Sequence, residues 1–286
     1  MENTFKKECY DTNPHIKIHY THGYLGHDSS LNFLHYDKDL IVEYYRKGEA
    51  SIHIEGRLYT IHEGDMVILN PDELHVSSRN FDTYTEKIVL HINESLLSPF
   101  GADRTVFLNT ISKKPKGIGN VISADNVKTL QFHKKLNLCL SYAQENSLES
   151  QVLLNCEIIT LLAQLSKLIA NNDTADITPV SSNKTVNQMM DYINRHYTDE
   201  ITLDTLAERF HFSKYYISHL FKDYVGVSPY DYLIMRRLYI CNNLIRSKHT
   251  VQEACHLVGF HNYSNFYRLY KKHLNITPQQ FKEQLK

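Results

Sequence analysis

Two short stretches of the sequence combine cations, hydroxyls and aromatic rings at helical spacing, residue types that could contact nucleic acid. The stretches are SKYYISHLFKDY, residues 213–224, and NYSNFYRLYKKH, residues 262–273. Residues three or four apart share a face of a helix, so each stretch has an apolar face and a polar face. The polar faces contain Lys214, Tyr215, Ser218, His219 and Lys222 in the first stretch, and Tyr263, Ser264, Tyr267, Arg268 and Lys271 in the second.

Such polar faces have the chemistry of DNA-reading helices. A guanidinium can make a bidentate pair with guanine, which assigns base reading to Arg268, whereas Lys222 and Lys271 are predicted to meet phosphates. For a single helix, the same cations would more simply form a solvated face. The apolar faces are predicted to dock on the protein through Tyr216, Ile217, Leu220, Phe221 and Tyr224, and through Phe266, Leu269 and Tyr270.

The two stretches belong to a repeated unit, which favours the DNA-reading interpretation. Aligning Pro229 with Pro278 gives an offset of 49 residues, and aligning Thr202 with Thr250 gives an offset of 48. A repeat of this size indicates a supersecondary module that is used twice. Capping-box spacing marks several helix starts, as at Thr250 with Glu253. We predict helix pairs at 203–210 with 214–225 and at 251–258 with 263–274, and a linking helix at 229–246.

The linking helix would span roughly 27 Å, so it could hold the two helix pairs about one turn of DNA, ~34 Å, apart. Residues 184–286 resemble the DNA-binding domain of AraC-family transcription regulators. The closing signature of that domain is matched by Gly259, Phe260, Phe266, Lys271, Lys272, Thr277, Pro278 and Phe281. The resemblance implies two helix-turn-helix units that bind half-sites on double-stranded DNA, in an activator that works with RNA polymerase. The sequence departs from the family at His219, where many members carry arginine, and at His211, where glycine is expected.

The N-terminal region predicts short antiparallel strands followed by a helical hairpin. Residues 16–92 are rich in β-branched and aromatic residues, with turns at Gly48, Gly64 and Pro71. From residue 126 the apolar spacing becomes helical, with Leu130, Leu136, Leu138 and Leu140 in one predicted helix and Leu154, Ile158, Leu161, Leu165 and Leu168 in a second, from Leu148 to Ala170. This hairpin could pack against the strands or form the interface of a homodimer, and both interpretations stay open.

The strand region also resembles a known family. Residues 48–75 are similar to the cupin-type barrel that senses effectors in sugar-responsive AraC-family members, and Gly64, Asp65, Pro71 and His75 match its commonest pattern. The resemblance implies a small-molecule effector, for which a carbohydrate is one candidate. The effector-binding candidates are Tyr44, Arg46, His53 and His75. The fold class is therefore α+β with two domains: an N-terminal cupin-like antiparallel β-barrel with a helical hairpin, and a C-terminal all-α domain.

Two alternatives compete with a sensor. A metal-dependent cupin enzyme could use His53, Glu55 and His75 as ligands, but the pattern lacks the second histidine of the pair that such cupins use. We therefore predict no enzyme, no catalytic residue, no metal and no cofactor. The other alternative is an effector-free regulator controlled by a protein partner, which predicts a barrel packed shut by aromatic side chains.

Length and composition agree with this organisation. A chain of 286 residues favours two domains. Residues 184–286 carry 14 Lys and Arg against 9 Asp and Glu, whereas the rest of the chain is acidic, which suits a polyanion-binding module attached to another domain. The five cysteines form no CxxC pair, and no apolar run approaches the roughly 18 residues that span a bilayer. We predict a cytoplasmic protein that contacts no membrane, with a cupin-like effector-binding and dimerisation domain at 1–170, a linker at 171–183 and a DNA-binding domain at 184–286.

Overall fold

The computed structural model describes residues 6–24, 35–55, 57–71, 73–78, 83–101, 111, 116–170, 183–283 and 285. The chain divides into two compact units, residues 1–32 with 36–180 and residues 33–35 with 181–286. Residues 171–182, which are all of the predicted linker except Asn183, lie outside the described residues. Asn183 itself caps the helix that begins at Lys184.

The described strands of the first unit are antiparallel, as the sequence predicted, and they form two sheets. The larger sheet has the strand order β1 (Lys6–Asn13), β2 (Ile16–Tyr24), β8 (Tyr84–Ile92), β3 (Leu40–Lys47), β6 (Met66–Leu69) and β9 (Val121–Ile122). The smaller sheet has the order β5 (Arg57–Ile61), β4 (Ala50–Ile54) and β7 (His75–Ser78). β1 lies before the predicted strand region and was not predicted. Its sequence, KKECYDTN, contains no valine, isoleucine or alternating apolar residue that would mark a strand. It forms by pairing with β2.

In the described ranges, a 3₁₀-helix (Glu94–Phe100) lies between β8 and β9, and the α-helices α1 (Ala124–Thr129), α2 (Phe132–Glu145) and α3 (Leu148–Ala170) follow β9. The prediction of one helix through Leu130 and Leu136 is wrong, because Gln131 adopts a φ of 58° and separates α1 from α2. The bounds of α3 agree with the prediction, and its predicted apolar residues are buried. Among the described residues, α3 alone has the length and composition to cross a membrane. Its buried side packs in one cluster with the larger sheet, as a core helix does.

The strands β3, β6 and β8 of the larger sheet bury side chains on both of their faces. Side chains alternate between the two faces of a strand. On β8, Ile88 and Leu90 belong to the cluster formed with α2 and α3, whereas Val89 between them belongs to a separate cluster with the smaller sheet. On β3, Val42 likewise faces the helices and Ile41 faces the smaller sheet. We call these two sides the helix face and the inner face of the larger sheet.

The second unit is all α-helical among its described residues. It contains α4 (Lys184–Arg195), α5 (Leu203–Phe210), α6 (Lys214–Val225), α7 (Pro229–Arg246), α8 (Val251–Leu257), α9 (Tyr263–Leu274) and α10 (Pro278–Glu283). The predicted helix pairs and the linking helix agree with these bounds to within one residue. Apolar residues of α7, α8 and α9 form one buried cluster, which includes Leu238, Ala254 and Phe266.

Candidate nucleic-acid interface and effector site

The first helix-turn-helix unit consists of α5, a short turn and α6. The Thr202 hydroxyl accepts a hydrogen bond from the Thr205 amide at 3.2 Å and caps α5. The Ser213 hydroxyl accepts one from the Tyr216 amide at 3.2 Å and caps α6. Both bonds satisfy backbone donors that have no partner inside their helix. In the turn, His211 adopts a φ of 58°, the left-handed conformation for which glycine is the usual residue. The turn therefore forms without the glycine that the family pattern carries.

One face of α6 packs on the core of the unit. Ile217 and Phe221 are buried and Leu220 and Tyr224 are half-buried, as predicted. The prediction that Tyr216 docks is wrong, because 45% of this residue is exposed and its ring lies 4.8 Å from the ring of Phe212. Val225, which the prediction missed, is buried instead. It follows Ile217 by eight residues, about 2.2 helical turns, and so returns to the buried side.

The other face of α6 is exposed. Of the residues predicted to contact DNA, Lys214, Tyr215, His219 and Lys222 are exposed and Ser218 is half-buried. Tyr215 is 75% exposed, and its ring centre lies 4.3 Å from that of His219. Lys214 forms an ion pair with Asp204 of α5. This face therefore presents two aromatic rings in contact, tilted by 45°, together with Lys214 and Lys222, and it carries no arginine.

The second helix-turn-helix unit consists of α8 and α9. At the start of α8, Thr250 and Glu253 form the predicted capping box, in which each side chain bonds the backbone amide of the other. The Asn262 side chain accepts a hydrogen bond from the Asn265 amide at 2.9 Å and caps α9. At the other end, Asn275 ends α9 with a φ of 58°, which asparagine tolerates better than most residues.

The two faces of α9 agree with the prediction. Phe266, Leu269 and Tyr270 are buried, and Tyr263, Ser264, Tyr267, Arg268 and Lys271 are all exposed. Arg268 Nη2 donates a hydrogen bond to Asn265 Oδ1 at 3.0 Å. Asn265 was not among the predicted residues, although its position three residues before Arg268 places both on one helix face. This hydrogen bond holds the guanidinium on the exposed side of α9.

Contacts from α7 and from the end of α8 join the second helix-turn-helix unit to the chain segment before α5. Arg237 is 9% exposed, and it donates from Nε to the Tyr197 carbonyl at 2.6 Å and from Nη2 to the Asp199 carbonyl at 2.8 Å. Gly259 has a φ of 88°, and a Cβ at this position would lie 2.5 Å from the Thr198 carbonyl oxygen. The backbone of Gly259 thus approaches this segment too closely for any side chain.

In the first unit, the four predicted effector-binding residues do not lie together. Tyr44 packs against the helix-face cluster of the larger sheet. The Arg46 guanidinium lies 5.7 Å from the centre of the Tyr20 ring, and Tyr20 belongs to the same face. Tyr44 and Arg46 therefore lie on the helix face of the larger sheet rather than between the two sheets. Their positions one residue away from Tyr45, which is buried between the sheets, reverse the direction of both side chains.

The two predicted histidines lie on opposite faces of the smaller sheet. Ile52 and Ile54 of β4 belong to the inner cluster, so His53 between them points to the other side. His75 pairs with Ile54 across the sheet and shares its inner face. His53 and His75 therefore cannot ligate one metal ion. Glu55 uses a carboxylate oxygen to accept a hydrogen bond from the Leu74 amide at 2.9 Å, so the ligand set of a metal cupin is not assembled.

The inner face of the larger sheet carries charged groups that the prediction missed. Lys87 Nζ lies 2.9 Å from Glu43 Oε1, and the Tyr45 hydroxyl donates to Glu43 Oε2 at 2.9 Å. Burial alone would raise the pKa of Glu43, but the nearby Lys87 ammonium and the hydrogen bonds from Lys87 and Tyr45 hold the pKa below its ordinary value. Glu43 is therefore ionised at neutral pH, although its side chain is only 10% exposed.

Histidines extend this polar region. His75 Nε2 lies 3.4 Å from Asp37 Oδ2, and its Nδ1 lies 2.9 Å from the Glu73 carbonyl oxygen and donates to it. The rings of His19 and His91 have centres 4.8 Å apart. Burial lowers the pKa of both imidazoles, that of His19 to about 4. Both rings are therefore uncharged at neutral pH and can donate and accept hydrogen bonds. We call Glu43, Lys87, His19, His91 and His75 the inner polar cluster.

Two protein-family profiles match the chain. The Helix-turn-helix domain matches residues 206–284, which contain the second half of α5 and all of α6 to α10. The AraC-like ligand binding domain matches residues 25–107, which contain most of the described strands of the first unit. The two matches fall in different compact units, in the order that the sequence predicted.

The curated relatives are transcription regulators. The uncharacterized HTH-type transcriptional regulator YdiP of Escherichia coli is 23% identical over 252 residues, which cover 88% of this chain and 80% of YdiP. The transcriptional regulatory protein HptR of Staphylococcus aureus is 32% identical over 101 residues, 35% of this chain and 40% of HptR. The HTH-type transcriptional activator RhaS of Salmonella schwarzengrund is 26% identical over 139 residues, 48% of this chain and 49% of RhaS. The chain thus spans less than half the length of HptR and of RhaS.

Among solved structures, apo ToxT from Vibrio cholerae overlaps 96% of this chain and 99% of its own, with 13% identity and a TM-score of 0.40. Within the chain itself, an AraC-like ligand-binding unit precedes a unit with two capped helix-turn-helix elements that expose polar helix faces. The chain belongs to the AraC family of transcription regulators.

Proposed function

We propose that this chain is a cytoplasmic, sequence-specific transcription activator that binds DNA as a homodimer and responds to a small molecule. One observation carries the DNA-reading part: both second helices, α6 and α9, bury one face and expose cations and aromatic rings on the other. A helix-turn-helix places such a helix in the major groove. Each chain would read two half-sites, one with α6 and one with α9.

The two helices would read their half-sites differently. On α9, Arg268 is held by Asn265 with further guanidinium donors left for guanine. On α6, Tyr215 and His219 offer an aromatic surface that suits the thymine methyl group. We therefore assign the main guanine-reading contact to the second half-site.

Substitutions in α9 test this assignment. We expect Arg268→Ala to relax specificity at one base pair by about 1–3 kcal/mol. Lys271→Ala should weaken binding to all sequences and lower the slope of the logarithm of the binding constant against the logarithm of the salt concentration by about 1. Binding of the full chain to a randomised duplex library, followed by sequencing, measures both effects. Lys248→Ala, at an exposed lysine just after α7, is the matched control. Identical specificity profiles for Arg268→Ala and Lys271→Ala would refute the assignment.

The inner polar cluster is the place that we propose for the effector. It offers a carboxylate at Glu43, an ammonium at Lys87 and neutral imidazoles at His19 and His91. Mixed donors and acceptors of this kind suit a polyhydroxylated molecule such as a sugar, whose hydroxyl groups donate and accept. Because Tyr44 and Arg46 lie on the helix face, they are not part of this site.

One observation favours the effector-free alternative. The centre of the space between the sheets is filled by buried side chains, among them Tyr45, Tyr59, Ile52 and Val67. Calorimetric titration of the full chain with a panel of sugars separates the alternatives. Binding that is lost in His91→Gln supports an effector at the inner polar cluster. If no member of the panel binds, the regulator controlled by a protein partner becomes the better proposal.

The dimer would form through α3 and the neighbouring part of α2. The outer side of α3 exposes Leu148 (74%), Val152 (55%) and Leu153 (47%), and Leu138 of α2 is 42% exposed. Exposed apolar residues that are contiguous on a surface are typical of an interaction site.

For the activator role, transcription from a promoter that carries the operator, with purified RNA polymerase, should rise when the chain is added. A fall would indicate a repressor.

A further inference from the structure

A pocket of about 490 Å³ lies between α4 and α5 in the second unit. Its walls include Gln188, Tyr192, Arg195, His196, Arg209 and Phe210. None of these residues belongs to the polar faces of α6 and α9 that are assigned to DNA. The volume falls within the range of roughly 300–1,000 Å³ that is usual for small-molecule sites.

Two polar side chains in this pocket, Arg209 and Gln188, have N–H donors that make no hydrogen bond to the described part of the protein. The guanidinium carbon of Arg209 lies 4.3 Å from the centre of the Tyr192 ring, so the ring fixes its position through a cation–π contact. Within the part of the chain that the structure describes, Arg209 makes no hydrogen bond or ion pair, and neither does the Gln188 amide. A planar guanidinium presents five N–H donors in a fork that matches a carboxylate.

The charges around the pocket define the charge of its ligand. Arg195 Nη2 lies 4.0 Å from Asp191 Oδ2, so these two charges largely offset each other. His196 Nδ1 lies 2.9 Å from Asp199 Oδ2 and has its own partner. Arg209 is thus the uncompensated charge among the lining residues. A single positive charge is matched by a monoanion rather than by a phosphate dianion.

Aromatic rings supply the rest of the surface. The ring centre of Phe210 lies 6.4 Å from that of Tyr192, and the two rings are edge-to-face. The ring centre of His196 lies 4.5 Å from that of Tyr192. Such walls favour a ligand whose body is apolar or aromatic. The anion would then be attached to a flat or hydrocarbon group.

The pocket opens on a different side of α5 from the recognition helix. Asp204 contacts Lys214 at the start of α6 and so marks the side of α5 that faces that helix. Arg209 follows Asp204 by five residues, which at 100° per residue places it about 140° around α5. A DNA phosphate bound along α6 would therefore not reach the Arg209 pocket.

We propose that this pocket binds a small monoanionic carboxylate with an aromatic or hydrocarbon body. Arg209 makes the bidentate contact with the carboxylate, and Gln188 provides a second polar contact. The site lies on the DNA-binding unit, so it is separate from the effector site proposed at the inner polar cluster.

Benzoate, benzamide and phenyl phosphate are suitable probes, added to the full chain and followed by ligand-observed saturation-transfer NMR and by calorimetry. We expect benzoate to bind at least about tenfold more tightly than benzamide, which has the same shape but no charge, and more tightly than phenyl phosphate. Arg209→Gln should weaken benzoate binding at least about tenfold. Arg246→Gln is the matched control, because Arg246 stacks on Phe281 at 5.4 Å outside the pocket.

Four results would overturn the proposal. They are no benzoate signal at about 20 mM, equal benzoate affinity in Arg209→Gln and the parent chain, tighter binding of phenyl phosphate than of benzoate, and displacement of benzoate by operator DNA. The last result would make the pocket a contact for the DNA backbone. Retained DNA binding by Arg209→Gln, together with lost benzoate binding, separates this site from the proposed regulatory function.

Discussion

Replacing Lys87 by methionine should destabilise the first unit and reverse the effect of pH on its stability. Lys87 Nζ lies 2.9 Å from Glu43 Oε1, and the two side chains are only 20% and 10% exposed. Removing one partner of a buried ion pair leaves the other charge uncompensated, which costs about 3–5 kcal/mol. The hydrogen bond from the Tyr45 hydroxyl to Glu43 remains in Lys87→Met. We therefore expect a loss near the lower end of this range, about 3 kcal/mol.

The sign of the pH dependence follows from Glu43. In the parent chain its pKa is lowered, so the ion pair stabilises the fold above the unfolded pKa of ~4.3 and is lost as pH falls through the folded pKa. In Lys87→Met, burial dominates and raises the pKa of Glu43 above ~4.3. Stability of the variant should then fall as pH rises from about 5 to 7, a window in which the contribution of Glu43 to the parent chain is constant because it is ionised in both the folded and the unfolded state.

Hydrogen exchange of backbone amides in β3 and β8, measured by mass spectrometry between pH 5 and 8, reports on this unit alone. Exchange rates must first be corrected for the intrinsic effect of pH. Lys47→Met is the matched control: Lys47 Nζ lies 3.3 Å from Glu86 Oε1, but Lys47 is 60% exposed, so its loss should cost less than about 1 kcal/mol. Equal losses in the two variants, or the same pH slope in Lys87→Met as in the parent chain, would refute the reasoning.

Three further outcomes are expected. Gly259→Ala should destabilise the second unit by more than about 2 kcal/mol in urea unfolding, because its Cβ would lie 2.5 Å from the Thr198 carbonyl oxygen. Gly101 has a φ of 61° and no atom within 4 Å of an added Cβ, so Gly101→Ala should bear backbone strain alone, about 1–3 kcal/mol. Leu153→Glu, at an exposed apolar position of α3, should convert the dimer to a monomer in sedimentation velocity, and an unchanged sedimentation coefficient would contradict the proposed interface. His19 has a folded pKa of about 4, below its unfolded pKa of ~6.5, so the unfolded state takes up its proton first and stability falls as pH decreases from about 6.5 to 4. His19→Gln should flatten that decrease in hydrogen exchange of β2.

The helices of the second unit could be predicted closely because their signals are local. Thr250 and Glu253 lie three residues apart and form the capping box that begins α8. Gly259 was matched by the family signature, and its close approach to Thr198 explains why a side chain is excluded there. The polar face of α9 followed from the helical period, and the same period could have identified Asn265, which lies three residues before Arg268.

The candidate effector site could not be predicted in the same way. A strand gives each residue one of two faces, and the choice depends on pairing with strands distant in the sequence. Arg46 and Tyr44 were named as effector-binding candidates, but Glu43 and Tyr45 occupy the inner face of β3. The length of a strand can be inferred from composition, whereas its phase is set by the packing of β3 between β8 and β6. For the same reason, the sequence did not show that His53 and His75 lie on opposite faces of the smaller sheet.

The alternation in β2, β3 and β8 has a mechanical consequence. The inner polar cluster and the helix-face cluster use neighbouring residues of the same strands, such as Glu43 and Val42. A group on the inner face is separated by one strand backbone from the side chains that pack against α3. If a bound molecule displaced Glu43 or His91, the adjoining peptide planes would tilt, and the packing of the Val42 and Leu90 side chains against the helices would change. In the larger sheet, a residue of the inner polar cluster and a residue packed against the helices are therefore joined by a single peptide bond, as Glu43 is to Val42.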